Sequence, residues 1–93
     1  MEIQHEDNGK KGAFYMELEG ERLAEMTYTW AGESMFIIDH TEVSDKLKGQ
    51  GAGKKLLEAV VLFARKMHLK ILPLCPFAKS VFDKTPEYGD VLR

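Results

Sequence analysis

The chain has 93 residues, of which 44% are hydrophobic and 30% charged; that is material for one hydrophobic core and leaves no room for a second, so a single domain over 1–93 is expected. The composition excludes a disordered, collagen-like or low-complexity chain, and a formal net charge of −2 with both signs interspersed supplies no broad field for nucleic acid, so any anion site has to be local. One cysteine, Cys75, makes neither an internal disulfide nor a multi-cysteine zinc cage, which points to a reducing, cytoplasmic setting, and the scattered His5 and His68 offer no grouped metal ligands.

The first 43 residues read as β structure, with turn chemistry at Asn8-Gly9, Gly20 and Gly32. A short edge strand at Glu2 to His5 pairs through the Asn8-Gly9 turn with a second run, Ala13 to Glu19, in which Phe14, Met16 and Leu18 share a face. The next run, Leu23 to Trp30, places Ala24, Met26, Tyr28 and Trp30 on one face, and Met35 to Val43 is the last of the antiparallel set. Tyr28, Trp30 and Phe36 are expected in the core rather than at a substrate platform.

After Val43 the period changes. Leu56, Leu57, Val60, Val61, Ala64 and Met67 recur at helical spacing, predicting a helix from about Gly51 to His68. Its longest apolar stretch, Leu56 to Ala64, is interrupted by Glu58 and too short to span a bilayer, and the N-terminus has no signal-peptide core. Lys70 to Leu74 then suits a buried strand, and Pro76 opens a second helix, Phe77 to Lys84, which ends at Thr85 because Pro86 follows. The tail PEYGDVLR reads as irregular. The order predicts an α+β fold with a mixed, mostly antiparallel twisted sheet of about five strands, one long helix and one short one.

A strand, the run KGQGAG and a long amphipathic helix together aim several backbone N–H groups at one point beyond the helix N-terminus. No Ser, Thr, Asp or Asn stands there as a cap, and Lys54 and Lys55 occupy the positive end of the helix dipole, so the turn is poorly satisfied without an anion. The bland explanation is a glycine-rich connector with solvated lysines. Spacing narrows the phosphate ligand. A Walker A loop would need glycine where Lys48 stands and a hydroxyl residue where Lys55 stands, and Gly49, Gly51, Gly53 do not make Gly-x-Gly-x-x-Gly.

The turn Lys48-Gly49-Gln50-Gly51-Ala52-Gly53 resembles the acyl-CoA signature Gln/Arg-x-x-Gly-x-Gly/Ala of the GNAT acetyltransferase superfamily, with lysine replacing the usual first residue. The flanking runs HTEVSDKLKGQGAGKKLLEAV and LCPFAKSVF are similar to those of compact GNAT-like N-acetyltransferases, and the resemblance covers the chain from the second strand onward. It implies an acetyl-CoA-dependent N-acetyltransferase with the minimal GNAT fold. Main-chain groups near Glu42 and Val43 would face the acetyl and pantetheine part, Gln50 to Lys54 would hold the pyrophosphate, and Cys75 and Phe77 would also face acetyl-CoA. The superfamily's Asn-x-x-Ala-x-x-x-Tyr segment appears as Cys75-x-x-Ala78-x-x-x-Phe82. Phe82 has no hydroxyl to protonate a departing thiolate, so that role falls elsewhere or to water.

Three side chains are candidates for the chemistry. Cys75, at a strand end before a proline-started helix, is the best nucleophile; it would accept the acetyl group, move a proton or line the thioester pocket, or else serve as a small buried hydrophobe. His40 and Glu42, two apart on one strand, share a face, with Asp39 and Thr41 expected on the other, and either one is a chemically sound base for the acceptor amine or a solvated strand residue. No helical period precedes Gly51, so the acceptor side is expected to be open, suiting a protein lysine or terminus or a groove completed by another protomer. A monomer or weak homodimer is expected, with no nucleic-acid or membrane partner. Two other functions stand beside the enzyme: an acyl-CoA-binding or sensing module without turnover, and a small interaction domain whose glycine turn only joins a strand to a helix.

Overall fold

A computed structural model describes the whole chain, Met1–Arg93. Its elements are β1 (Ile3–Asp7), β2 (Lys11–Leu18), β3 (Glu21–Trp30), β4 (Met35–Val43), α1 (Ala52–Met67), β5 (Lys70–Pro73) and α2 (Pro76–Lys84), with 3-10 turns at Asp45–Leu47 and Pro86–Val91. The five strands lie in chain order, antiparallel from β1 to β4 and parallel between β4 and β5. Parallel pairing needs a crossover, and α1 supplies it. The fold is the expected α+β with a five-stranded mixed sheet.

Local chemistry sets the hairpins. Asn8 Oδ1 accepts from the N–H groups of Lys10 and Lys11 at 2.9 and 2.8 Å, and Gly9 takes a positive φ of 89°, which turns β1 back onto β2. Between β2 and β3 the two-residue loop Glu19-Gly20 has φ of 52° and 82°, the twist that matches a tight antiparallel pair. The β1 strand runs two residues further than the sequence suggested because Glu6 and Asp7 pair with Ala13 and Gly12.

One face of the sheet is covered. Phe14, Met16, Ala24, Met26, Tyr28, Phe36 and Ile38 are buried there against Leu56, Leu57, Val60, Val61 and Ala64 of α1, and α2 adds Ala78, Val81 and Phe82 to the same core. Each such fully buried Leu, Ile, Val, Met or Phe stabilises the fold by roughly 1.5–3 kcal/mol relative to exposure. Tyr28 and Phe36 are in this core as expected, and Trp30 packs partly buried at its rim. The tail is more ordered than its composition suggested. Arg65 holds both Asp90 (Nε to Oδ2, 2.8 Å) and the Glu87 carbonyl (2.7 Å), and the Arg93 N–H donates to the Ile71 carbonyl at 2.9 Å, so Leu92 bridges to β5.

Candidate active site

Strands β4 and β5 part midway along β4. The β4–β5 ladder runs only from Met35↔Lys70 to Ile38↔Pro73, whereas β4 continues to Val43. At the point of parting, the Ile38 carbonyl accepts from the N–H groups of both Leu74 and Cys75 at 3.2 Å, which anchors the start of α2. Beyond that apex the free edge of β4 opens a wedge. The Ser44 N–H donates to Leu23 of β3, so by the alternation of an antiparallel ladder Glu42 also directs its main chain at β3, while Thr41 and Val43 turn their N–H and C=O groups into the wedge.

The glycine turn stands at the wedge's mouth. Gly49 and Gly51 have φ of 80° and 70°, a left-handed conformation that glycine adopts without the cost other residues bear. Gly51 is the N-cap of α1 and gives no side-chain cap. The Lys55 N–H returns to the Gly51 carbonyl at 3.0 Å, but the N–H groups of Gly51, Ala52, Gly53 and Lys54 reach no acceptor in the chain. Ala52 and Gly53 are buried and Gly51 and Lys54 exposed; the four consecutive donors at the start of α1 are unmatched within the chain, and Lys48, Lys54 and Lys55 stand exposed around them. This donor set fits the oxygens of a pyrophosphate. Phe77 lies across it: a Cβ at Gly53 would stand 2.7 Å from the Phe77 Cζ, so the N-termini of α1 and α2 converge on the same side of the wedge. The turn also borders a small hollow of about 40 Å³ touching Leu47, Gln50 and Lys55.

Cys75 occupies the apex. The residue is 4% exposed, and its thiol lies 3.2 Å from the Thr41 hydroxyl. His40 and Glu42 are on the other side of the sheet. They pair across the strands with Thr27 and Glu25, while Thr41 and Val43 pair with the buried Met26 and Ala24. His40 and Glu42 share a face as expected, and both are exposed. Asp39 departs from the expectation. The register slips between Thr27 and Tyr28, leaving Asp39 as the extra residue of a bulge, and its Oδ2 accepts from Thr29 Oγ1 at 2.6 Å. Asp39 therefore lies on the same face as His40, not opposite it. The three catalytic candidates do not form one cluster: Cys75 is on the helix side of the sheet and His40 and Glu42 are on the far side.

That far side carries a hollow of about 660 Å³, which includes Thr27, Thr29, Asp39, His40, Glu6 and Glu25 in its wall. It is a polar sheet face, separate from the glycine turn. Arg22 bridges Glu6 and Glu25 at 2.7 and 3.2 Å and lies 3.8 Å over the Tyr15 ring. At the hollow's end the Tyr28 hydroxyl donates to Asp7 Oδ2 at 2.6 Å and so accepts from His5 Nε2, also at 2.6 Å, which places the His5 proton on Nε2. Trp30 Nε1 donates to the same Asp7 oxygen at 2.7 Å. Burial tends to raise Asp7, but the bonds from Tyr28, the Gly9 N–H and Trp30 outweigh it and hold the carboxyl below its usual range. Burial pushes His5 down, only partly offset by Asp7 and Glu6, and burial followed by the Asp7 carboxylate pushes Tyr28 up. Neither this network nor Thr41 was visible in sequence; the spacing of His5, Asp7 and Tyr28 means nothing until β2 pairs with both β1 and β3.

The sequence profile described as GCN5-related N-acetyl-transferase matches residues 13–91. The chain belongs to this family. A GCN5-like protein of Staphylococcus aureus with a solution structure is 46% identical, with a TM-score of 0.76 over 99% of this chain and 87% of that one. Protein NATD1 of Gallus gallus is 29% identical over 85 residues, 90% of this chain and 77% of that protein. A GNAT family acetyltransferase of Elizabethkingia anophelis, solved with acetyl-CoA bound, shares the fold at a TM-score of 0.58 and 20% identity, over 69% of this chain and 42% of that one. GNAT enzymes move an acyl group to an amine, and the strand, glycine turn, helix and wedge described above all fall inside the matched residues.

Proposed function

We propose that this GNAT protein is an acetyl-CoA-dependent N-acetyltransferase acting on an amine carried by a protein or peptide. The unmatched N–H groups at Gly51, Ala52, Gly53 and Lys54 carry the reading, because a pyrophosphate satisfies all of them at once and the lysines offset its charge. When bound, acetyl-CoA supplies an acetyl group already activated as a thioester. The chain's part is to hold and orient it. Lys48 to Lys54 grip the phosphates, with Gly49, Gln50 and Gly51 forming the turn and Phe77 flanking it; the main chain of Val43 and Thr41 holds the extended arm along the free edge of β4; Cys75 meets the thioester end at the apex.

The acceptor then comes from the far face, where no helix covers the sheet. There His40, and beside it Glu42, take the proton that the amine must lose to attack. An open, polar face with Asp39, Glu25 and Glu6 on its wall suits a flexible chain bearing a lysine or an amino terminus better than an enclosed metabolite.

The test is thermal shift followed by turnover. Acetyl-CoA and CoA are expected to raise the melting temperature, since a ligand at about a hundred times its Kd adds roughly 2.7 kcal/mol to the native state; ATP and NAD are expected to do so much less. Release of free CoA in the presence of a lysine-containing peptide completes it. Equal shifts from all four nucleotides would reduce the turn to an unselective anion site, and a CoA shift without CoA release would leave a binding module.

A further inference from the structure

The Cys75 thiol is cut off from every titratable candidate of the site. Cys75 as a residue is 4% exposed, and His40 and Glu42 face away from it across the sheet, paired with Thr27 and Glu25. One polar side chain reaches it, Thr41, through a 3.2 Å contact between Oγ1 and Sγ in which either atom has a hydrogen to give. The bulge at Asp39 brings this about. By shifting the register between Thr27 and Tyr28, it sets Thr41 opposite buried Met26 while His40 stays outside. Thr41 is itself half-buried, at the point where β4 begins to line the open wedge. Both partners are fixed, Thr41 by its ladder position and Cys75 by its N–H bond to the Ile38 carbonyl at 3.2 Å.

We infer that Thr41 is the positioning residue of Cys75: its hydroxyl orients the thiol and is the route by which the thiol's proton enters and leaves the apex. This rests on the reading of Cys75 as the residue at the thioester end. The movement balances without another group of the chain. As the Sγ–H bond breaks, an Oγ1–H bond forms, and the hydrogen that Oγ1 already carried passes to a base in the wedge, which in the absence of ligand is water. Proton return runs the same path backwards. A hydroxyl serves both directions because it donates and accepts.

The experiment uses the full chain and iodoacetamide, followed by mass spectrometry across pH 6–9, so that alkylation of Cys75 is read without any turnover. Wild type is expected to be labelled in the folded state. Thr41→Val keeps the shape and loses the hydroxyl; its labelling rate is expected to fall about tenfold, the effect of losing a hydrogen bond to an ionised partner. Thr41→Ser is expected to stay within about twofold of wild type. Thr41→Ala, which also lacks the hydroxyl, serves if the valine variant does not melt cooperatively. The direction separates the roles, because loosened packing exposes a thiol and speeds labelling. Labelling of the valine or alanine variant at or above the wild-type rate overturns the inference, as does a serine variant as slow as valine or a wild-type thiol inert to the reagent. Acetyl-CoA protection is scored separately: if acetyl-CoA fails to slow wild-type labelling while Thr41→Val still does, the cofactor reading falls and the role of Thr41 stands.

Discussion

The Phe77 ring rests on Gly53 so closely that a methyl group at position 53 would stand 2.7 Å from Cζ and 2.9 Å from Cε2. Gly51, two residues earlier, faces open space but has a φ of 70°. The two glycines therefore answer to different demands, one to a neighbouring ring and one to backbone conformation.

Gly51→Val is expected to strain the left-handed turn by about 1–2 kcal/mol and to abolish the acetyl-CoA thermal shift while the fold persists. Gly53→Val is expected to displace the Phe77 ring with the same loss of binding. Circular dichroism with the thermal-shift titration checks both. A Gly51→Val protein that binds acetyl-CoA normally would mean the phosphates sit elsewhere.

Cys75→Ala is expected to retain the acetyl-CoA thermal shift, since the pyrophosphate turn is untouched, and to lose most acetyl transfer. Steady-state CoA release from the variant is the measurement. Wild-type turnover would demote the thiol to pocket lining and leave His40 or Glu42 as the leading base.

Gly12→Ala tests the far end of the sheet. A Cβ there would lie 2.3 Å from both Cζ and Oη of Tyr28 and 2.7 Å from the Glu6 carbonyl oxygen, and Tyr28 is buried with its hydroxyl committed to Asp7 and His5. Overpacking of this kind costs about 1–3 kcal/mol, or roughly 4–8 °C in Tm for each kcal/mol in a domain of this size. An unchanged melting curve would show that the ring moves aside freely.

The same network sets a pH dependence. Asp7 is depressed in the fold below 3.8, so the stability it contributes is present above that value and lost as pH falls through the lower folded one. His5 is depressed below 6.5 because burial favours the neutral ring; its contribution likewise is complete above 6.5 and disappears on acidification through the folded value. Both act in the same direction. Denaturant melts from pH 8 to 2 are expected to show two declines, with Asp7→Asn flattening the lower and His5→Gln the upper; a profile identical in the variants would remove the network from the account.

Much of this was legible in the residues. The strand run Met35 to Val43 and the helix after Gly51 are set by periodicity of 2 and 3.6 and by glycine turns, signals that sequence carries locally. The bulge at Asp39 is not local, because it arises from the register of β4 against β3 and no residue in IIDHTEV announces it. Parity along β4 consequently failed at Asp39, and Thr41 was passed over although it touches Cys75. The tail's order was hidden for the same reason: Arg65 and Asp90 meet only after α1 crosses over the sheet.

The parallel joint between β4 and β5 also bears on the order of assembly. Strands β1 to β4 pair with their neighbours in sequence, so their loops close early, whereas β5 cannot register until α1 has formed and docked, and long closures come late. The arm carrying Cys75 is thus the last to gain partners and is held by four ladder positions and the Leu92 bridge. Amide hydrogens of Ile71, Leu72, Leu74 and Cys75 should exchange sooner than those of Met26 to Tyr28 in the middle of the antiparallel set. A ligand that spans the glycine turn and the edge of β4 would slow that exchange without touching most of the amides it protects.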